Sequence, residues 1–319
     1  MAGSVFIRHP RYAIVLAFLL ASSLYLILPL SGPPGGFTPL RFANNDFTDL
    51  SYRMAQAEVI YERTIQERAG LIERYGPKAS EIDMFPPNKS PWPAYTVWDF
   101  FPASFNCPHE VRRIGVLGDG GKWVCGLSRV VEKKDCVVYS VGINTESSFE
   151  AELLAETKHC KVWGYDFSVK GFAKQIPSHQ LHRTEFHPYG LAGFDRAASG
   201  TEPAMYTLKT LMKMNGHEHI DILKVDVEGW EFDTLTTLIN SFKGSALPFG
   251  QLQLEIHAWD RKFETFLKWW QTLEDAGLRP FWTEPNLVYV NYANEGKPHL
   301  AEYSFLNVKG DNVFTKDLH

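Results

Sequence analysis

An expected strand at Ile220–Val225 leads straight into Asp226-Val227-Glu228-Gly229. Two carboxylates spaced by two positions at the tip of an extended segment point to the same side. A second expected strand, 251–256, carries Glu255 and is followed by His257. If the two runs are neighbouring strands, Asp226, Glu228, Glu255 and His257 converge. Paired carboxylates in one cleft push at least one pKa upward. Imidazole is the side chain best suited to accept a proton near neutral pH, so His257, Asp226 and Glu228 are the candidate catalytic residues. The competing assignment is structural, with Glu255 or His257 holding a loop through hydrogen bonds. Carboxylate and imidazole also suit a divalent metal, but the ligand set is unproven and no metal is assigned.

Two further positions suggest a nucleoside. Residues 137–141 form a short β-branched run ending at Gly142, where the absence of a side chain lets backbone approach a ligand closely. The next helix N-terminus offers free N–H groups. Asp166 stands about 24 residues further on, at the end of a second run, where an acidic side chain can accept both ribose hydroxyls. Its bland alternative is a turn cap through Asp166-Phe167-Ser168. A dinucleotide wants G-x-G-x-x-G for its pyrophosphate. Here the stretch reads Gly142-Ile143-Asn144-Thr145-Glu146-Ser147, which lacks the second and third glycines and puts a carboxylate where phosphates would lie. S-adenosylmethionine has no phosphate and carries a cationic sulfonium, so this pattern favours it as the cofactor.

The elements that must position these residues alternate. Strands are expected at 137–141, 161–165, 184–187, 220–225 and 251–256, with late strands near 281–282 and 303–308. Helices fall between them: one opened by Ser147-Ser148, one at 208–214, one with Phe232, Leu235, Leu238, Ile239 and Phe242 on its apolar face, and one capped by Asp260 and stopped by Gly277. Alternation of this kind implies βαβ units and a mainly parallel sheet with helices on both faces. Upstream, Leu50, Met54, Ala57, Tyr61, Ile65 and Ile72 recur near the helical period, with Arg68 interrupting the stripe. They predict a stem helix over 46–75 that packs on the main domain. The Pro-rich stretch 77–108, with Trp92 and Trp98 interleaved, reads as an arm laid on the domain surface, because a free linker rarely keeps aromatics exposed.

The chain has 319 residues, 45% hydrophobic and 22% charged, with a net charge of -5. That balance supports a full core and excludes a basic nucleic-acid face. Residues 12–30 are an uncharged apolar run of 19 residues, long enough to span a bilayer, preceded by Arg8 and Arg11. Basic flanks stay cytoplasmic, so the rest of the chain is expected on the lumenal or extracellular side. A cleaved signal peptide is the rival, but its apolar region is usually shorter and its cleavage site would fall mid-run, at Ala21-Ser22-Ser23. Asn88-Lys89-Ser90 is a glycosylation sequon followed by Pro91. Cys107, Cys125, Cys136 and Cys160 are even in number, so they form either disulfides, whose pairing sequence cannot supply, or small buried hydrophobes.

Lys224-Val225-Asp226-Val227-Glu228-Gly229 resembles the K-[IV]-D-[IV]-E-G signature of FkbM-type methyltransferases. Three more stretches resemble the membrane-anchored family that includes methyltransferase-like protein 24. These are Gly118-Asp119-Gly120-Gly121-Lys122-Trp123-Val124-Cys125, Cys136-Val137-Val138-Tyr139-Ser140-Val141-Gly142, and Gln251-Leu252-Gln253-Leu254-Glu255-Ile256-His257. The similarity runs over about residues 95–310. It implies a seven-stranded Rossmann-like methyltransferase fold with an antiparallel last strand. Carried over, Gly142 lines the methyl donor, Asp166 holds its ribose, and Asp226 and Glu228 flank its amino-acid end or the substrate. Asp119, Gly120, Gly121 and Lys122 close the donor pocket from the N-terminal side; by its own chemistry the glycine pair is equally a hairpin turn. FkbM-type enzymes methylate hydroxyl oxygens, so a lumenal acceptor such as a glycan is the expected partner. The alternative is a non-catalytic, membrane-tethered binding module, for which a blocked donor pocket is expected. The resulting layout is a cytoplasmic tail at 1–11, a transmembrane signal anchor at 12–30, a stem at 31–94 and a methyltransferase domain at 95–319. The membrane topology is single-pass type II, in the Golgi, the endoplasmic reticulum or the cell surface.

Overall fold

The computed structural model describes residues 49–87, 90–259, 261–292 and 296–316. The apolar run at 12–30, the sequon residues Asn88 and Lys89, and the expected cap Asp260 lie outside them. Among the described residues, no helix is long and apolar enough to cross a membrane.

Seven strands form the central sheet: β3 (Val137–Val141), β4 (Lys161–Tyr165), β5 (Thr184–His187), β8 (Ile220–Val225), β9 (Phe249–His257), β10 (Leu278–Pro285) and β11 (Leu300–Asn307). Their spatial order is β10-β11-β9-β8-β3-β4-β5. The pairs from β9 through β8, β3 and β4 to β5 are parallel, and β11 runs antiparallel to both neighbours. This is the Rossmann-like, mainly parallel arrangement with an antiparallel last strand. Every strand expected from the sequence is present, several extended by a few residues.

Order reverses between β3 and β8. After β3 the chain moves outward to β4 and β5, then returns to the other side of β3 as β8. In open sheets a ligand crevice forms at such a switch, beyond the carboxyl ends of the strands. Register sharpens the point: Val141 pairs with both Tyr165 and Val225, and Val225 pairs with Leu254. The next residues along, Gly142, Asp166, Asp226 and Glu255, therefore emerge at one level.

Strand alternation divides the core into two layers. Tyr139, Val141, Leu223, Val225, Leu252, Leu254 and Ile256 face helices α3 (Leu208–Asn215), α4 (Glu231–Ser241) and α5 (Phe263–Asp275). Val138, Val162 and Ile222 face α2 (Ser148–Glu156), where Phe149, Leu153 and Leu154 are buried. A short hairpin, β1 (Val111–Ile114) with β2 (Lys122–Cys125), covers the polar face of β9. Gln251 donates to the Cys125 carbonyl and accepts from the Cys125 amide at 2.9 Å, and Gln253 donates to Trp123 O at 3.3 Å. The alternating glutamines of β9 are thus buried, and their side-chain amides tie β9 to β2. A parallel pair, β6 (Tyr189–Leu191) and β7 (Ala204–Tyr206), flanks the β5 side, and a short helix, α6 (Leu287–Tyr292), follows β10.

The N-terminal helix α1 (Leu50–Tyr75) packs on the domain as expected, with two corrections to its buried stripe. Arg68 does not interrupt the buried stripe; it anchors it. Its guanidinium is only 4% exposed and forks onto Glu274 of α5 at 2.7 and 3.0 Å. Glu274 also accepts from Tyr61 Oη and from Trp270 Nε1 at 2.9 Å. Ile65, by contrast, turns outward. The Pro-rich arm lies on the domain as expected: Ile82, Met84, Val97, Phe100 and Phe101 join the first core layer, and Trp98 Nε1 donates to Pro298 O at 2.6 Å. Trp92 stays exposed. Both disulfides are formed, Cys107–Cys125 tying the arm to β2 and Cys136–Cys160 joining the starts of β3 and β4.

Breaking a buried, hydrogen-bonded ion pair from one side leaves an uncompensated charge. Arg68→Ala is therefore expected to lower unfolding free energy by about 3–5 kcal/mol, measured by urea denaturation, whereas Ile65→Ala on the same helix stays within about 1 kcal/mol.

Candidate functional site

The backbone at the switch point is laced together. Gly142 N donates to Tyr165 O at 3.0 Å, Asp226 N to Val141 O at 3.1 Å, and Lys224 Nζ to Gly142 O at 2.8 Å. Gly142 has φ +78°, and a Cβ built on it would lie 1.8 Å from the Asp226 carbonyl oxygen. Only glycine fits between the two strand tips.

Around this contact lies a cavity of about 290 Å³ lined by Gly142, Asn144, Asp166, Asp226 and Glu228, with Tyr165, Phe167, Tyr189, Leu191, Met205 and Trp230 among its apolar wall. Three carboxylates line it and no lysine or arginine does. Such a wall suits a cationic ligand with an aromatic or apolar body and opposes a pyrophosphate. Phe167 and Trp230 are half exposed at its rim.

Asp166 closes the turn considered for it and also lines the cavity. Its Oδ1 accepts from the Ser168 amide and hydroxyl, each at 2.6 Å, closing a turn, while Oδ2 accepts from Asn144 N at 2.7 Å. Burial alone would raise its pKa. The Ser168 hydroxyl and the amides of Asn144 and Ser168 outweigh burial and hold the carboxyl below its ordinary value. It is an ionised acceptor pinned on the cavity wall.

Asp226, Glu228 and His257 come together, their ligand-type atoms all within 4.8 Å of one another. Strand alternation is not the cause, because β8 ends at Val225. Glu228 sits at φ +49°, a left-handed conformation rare for a side chain of its length. Strain of this kind concentrates at functional sites. The bend folds Glu228 back towards the β9 tip, while its carboxylate remains 77% exposed.

His257 itself does not line the cavity. It is 1% exposed, behind Glu228, with Nε2 3.4 Å from Glu228 Oε2 and Nδ1 3.3 Å from Glu231 Oε1. Burial lowers its pKa, but Glu231, Asp226 and Glu228 outweigh burial and leave it raised. Glu231, fully buried at the start of α4, also accepts from His257 N at 2.7 Å and from Gly229 N at 2.9 Å. His257, a candidate proton acceptor from its residue type, is thus not among the lining residues; its ring lies against Glu228 and Glu231.

Glu255 does not join this cluster either. Its direct cross-strand partner is Glu302 of β11, and Asp119 lies beside both. Burial and the charges of Asp226 and Glu302 push the Glu255 carboxyl up to about 9, against the pull of Lys122 and a 2.9 Å hydrogen bond from Asn286. Lys122 is buried and pairs with Glu302. Gly120 and Gly121 belong to the β1–β2 connection, where Gly120 abuts Glu146 and Gly121 abuts Arg113. None of Gly120, Gly121 and Lys122 lines the Gly142–Asp166 cavity; Gly121 borders a separate one of about 230 Å³ with Asp119, Glu284 and Glu302. The hairpin alternative describes them, because hydrogen bonds to Gln251 and Gln253 seat β2 over β9 rather than over the strand tips.

Sequence reasoning missed Tyr189, Met205 and Trp230 on the cavity wall. Nothing in the periodicity of 189–206 signals a wall, since the β6–β7 pair is only three residues long on each side. It also missed Lys224 and Glu231, for which a signal existed: both are charged residues inside the same run that holds Asp226 and Glu228.

Comparison with known proteins follows the same direction. A family model described as a methyltransferase domain matches residues 64–296. Methyltransferase-like protein 24 of Rattus norvegicus is 25% identical over 185 residues, covering 55% of this chain and 48% of the relative. The Homo sapiens protein of the same name is 25% identical over 184 residues, covering 54% and 47%. The chain thus matches about half the length of these curated relatives. Among solved structures, the Methanococcus jannaschii fibrillarin pre-rRNA processing protein is similar with a TM-score of 0.34 at 12% identity, covering 64% of this chain and 100% of that one. A precorrin-6y C5,15-methyltransferase from Geobacter metallireducens GS-15 has a TM-score of 0.30 at 11% identity, covering 57% and 84%.

Two outcomes test the site. Gly142→Ala is expected to cost more than about 2 kcal/mol, from left-handed backbone and the clash with Asp226, seen as a lowered thermal midpoint. Glu255 has a folded pKa above its unfolded one, so it favours folding at low pH and loses that contribution as pH rises from about 4.5 through about 9. Glu255→Gln should flatten the fall in stability between pH 5 and pH 9; an unchanged pH profile would show that Glu255 is not held protonated.

Proposed function

The chain belongs to the methyltransferase-domain family whose model spans residues 64–296, and from that premise we propose that it is an S-adenosylmethionine-dependent methyltransferase acting on a hydroxyl oxygen. The observation that carries this reading is the cavity wall: three carboxylates, no cationic side chain, aromatic surfaces and a glycine bend at the sheet's switch point. When bound, S-adenosylmethionine supplies an electrophilic methyl group on a sulfonium. Asp166 is placed to accept the ribose hydroxyls, exchanging the Ser168 hydroxyl for one of them. Gly142 keeps the floor low enough for close approach, and Asp226 offers negative charge beside the cationic end. Glu228, exposed at the mouth, takes the proton that the acceptor hydroxyl releases as its oxygen bonds to the methyl carbon and the carbon–sulfur bond breaks. His257 and Glu231 hold Glu228 from behind. Transfer requires the acceptor in line with the methyl and a base within reach of its proton.

The same proposal extends to place and partner. Two disulfides persist best in an oxidising compartment, and the apolar run at 12–30 with Arg8 and Arg11 before it supports a type II anchor with the domain lumenal or extracellular. A glycan hydroxyl is the acceptor class that fits that location.

Calorimetric titration of the full chain with S-adenosylmethionine should give saturable binding. Asp166→Ala should weaken it about 10- to 100-fold, the loss of a charge-assisted hydrogen-bond pair. Absence of binding by the parent chain would overturn the reading. Glu228→Gln should slow transfer of a labelled methyl group to a glycan-bearing extract while leaving donor affinity within about threefold.

A further inference from the structure

A second polar cavity stands at the same edge of the sheet as the first. Val225 pairs with Leu254, Glu255 with Glu302, and Glu302 with Glu284. Asp226, Glu255, Glu302 and Glu284 therefore follow one another at one level across β8, β9, β11 and β10. Neighbouring strands lie about 4.8 Å apart, so Glu302 stands roughly 10 Å and Glu284 roughly 14 Å along this row from Asp226. Asp226 lines the first cavity, while Glu302 and Glu284 line the second, of about 230 Å³. Arg113, Asp119, Asn286 and Leu287 complete its wall.

The polar groups of this wall are held in place by protein partners. Glu284 Oε2 accepts from Trp123 Nε1 at 2.7 Å and from Arg113 Nε at 3.4 Å. Arg113 Nη2 also holds the Gly118 carbonyl at 2.6 Å, and Lys122 pairs with Glu302. Two of the three lining carboxylates thus have their cation already, and what they offer a ligand is hydrogen-bonding capacity. Glu284 Oε1 lies outside both bonds, and Asn286 Nδ2 gives one of its two hydrogens to Glu255. Asp119 is exposed on the hairpin connection. Leu287 and Val288 of α6, 65% and 48% exposed, add an apolar flank. An anionic ligand would meet three carboxylates, an ammonium would meet Arg113, and a wholly apolar ligand would strand the polar groups. Fixed donors and acceptors beside an apolar flank match a pyranose, which carries hydroxyls on its edge and C–H groups on its face. The volume is below the roughly 300–1,000 Å³ of a drug-sized pocket and suits a single ring.

We propose that this second cavity is an acceptor subsite for a neutral sugar ring, with Asp119, Glu284 and Asn286 taking its hydroxyls and Leu287 its C–H face. The inference rests on the reading of the first cavity as the donor site, and it adds a second point of attachment for the acceptor. Roughly 10 Å along the strand tips separates the two. That is too far for one ring to sit here and present its own hydroxyl at Glu228. The ring bound here therefore belongs to a neighbouring unit of the same chain, and the acceptor is an oligosaccharide rather than a free monosaccharide.

The test is a saturation-transfer NMR titration of the full chain, without methyl donor, against the methyl glycosides of glucose, galactose and mannose. Glucosamine and glucuronic acid serve as charged counterparts. At least one neutral glycoside should bind saturably, with the strongest transfer to the C–H protons of one ring face. Leu287→Ala and Asp119→Ala, both exposed changes that leave folding intact, should each weaken that binding about fivefold or more. Saturating S-adenosylmethionine should leave the affinity within about twofold, as for two distinct sites without coupling. The proposal is overturned if no neutral glycoside binds saturably, if a charged sugar binds more tightly, or if neither variant weakens binding. Competition by S-adenosylmethionine also overturns it, because the sugar would then occupy the first cavity. Donor binding without sugar binding removes the subsite alone, and sugar binding without donor binding removes the donor reading alone.

Discussion

Everything at the cavity depends on how closely the tips of β3 and β8 approach. At Gly142 there is no room for even a methyl group, because the Asp226 carbonyl occupies that space. The constraint is steric and local, yet its reach is wide. It sets the level at which Asp226 leaves the sheet, and through parallel register it sets the levels of Asp166 on one side and Glu255 on the other. A larger residue would push the two halves of the sheet apart where the strand order reverses, and the crevice would lose its floor.

Charge is then sorted into two compartments. On the cavity side, Asp166, Asp226 and Glu228 face open space without a lysine or arginine among the lining residues. Beneath the hairpin, Glu255 and Glu302 face one another across β9 and β11, a like-charge cross-strand pair that would be destabilising alone. Lys122 from β2 neutralises one charge, and the raised pKa of Glu255 removes another by protonation. The carboxylates that line the cavity are available to a cationic ligand, while the buried ones hold the hairpin to the sheet. Glu231 mediates between chain segments in a third way, with one buried carboxylate holding the turn after Glu228 and the end of β9 at once.

Much of this was legible beforehand, and for a definite reason. Strands buried on both faces read as continuous apolar runs, and helices between them repeat near 3.6 residues, so the order of elements follows from hydrophobic pattern. The residue just beyond each run is then a crevice candidate, which is how Gly142, Asp166 and Asp226 were identified. Arg68 was misjudged because a charge within an apolar stripe says nothing about a partner 206 residues away in sequence. Gly120, Gly121 and Lys122 were assigned to the donor pocket by resemblance alone, and a glycine pair before a strand is as much a hairpin as a ligand loop.

The amino-acid sequence alone determined the alternation of strands and helices, the acidic character of the strand tips and the missing phosphate-binding glycines. These are properties of single segments, written in local pattern. Tertiary structure decided which acids meet which. His257 and Glu255 are two residues apart on one strand, yet one faces Glu228 and Glu231 while the other faces Glu302. That choice depends on the antiparallel return of β11, the seat of the β1–β2 hairpin and the left-handed bend at Glu228. Contacts across more than a hundred residues are set by packing, and no local period encodes them.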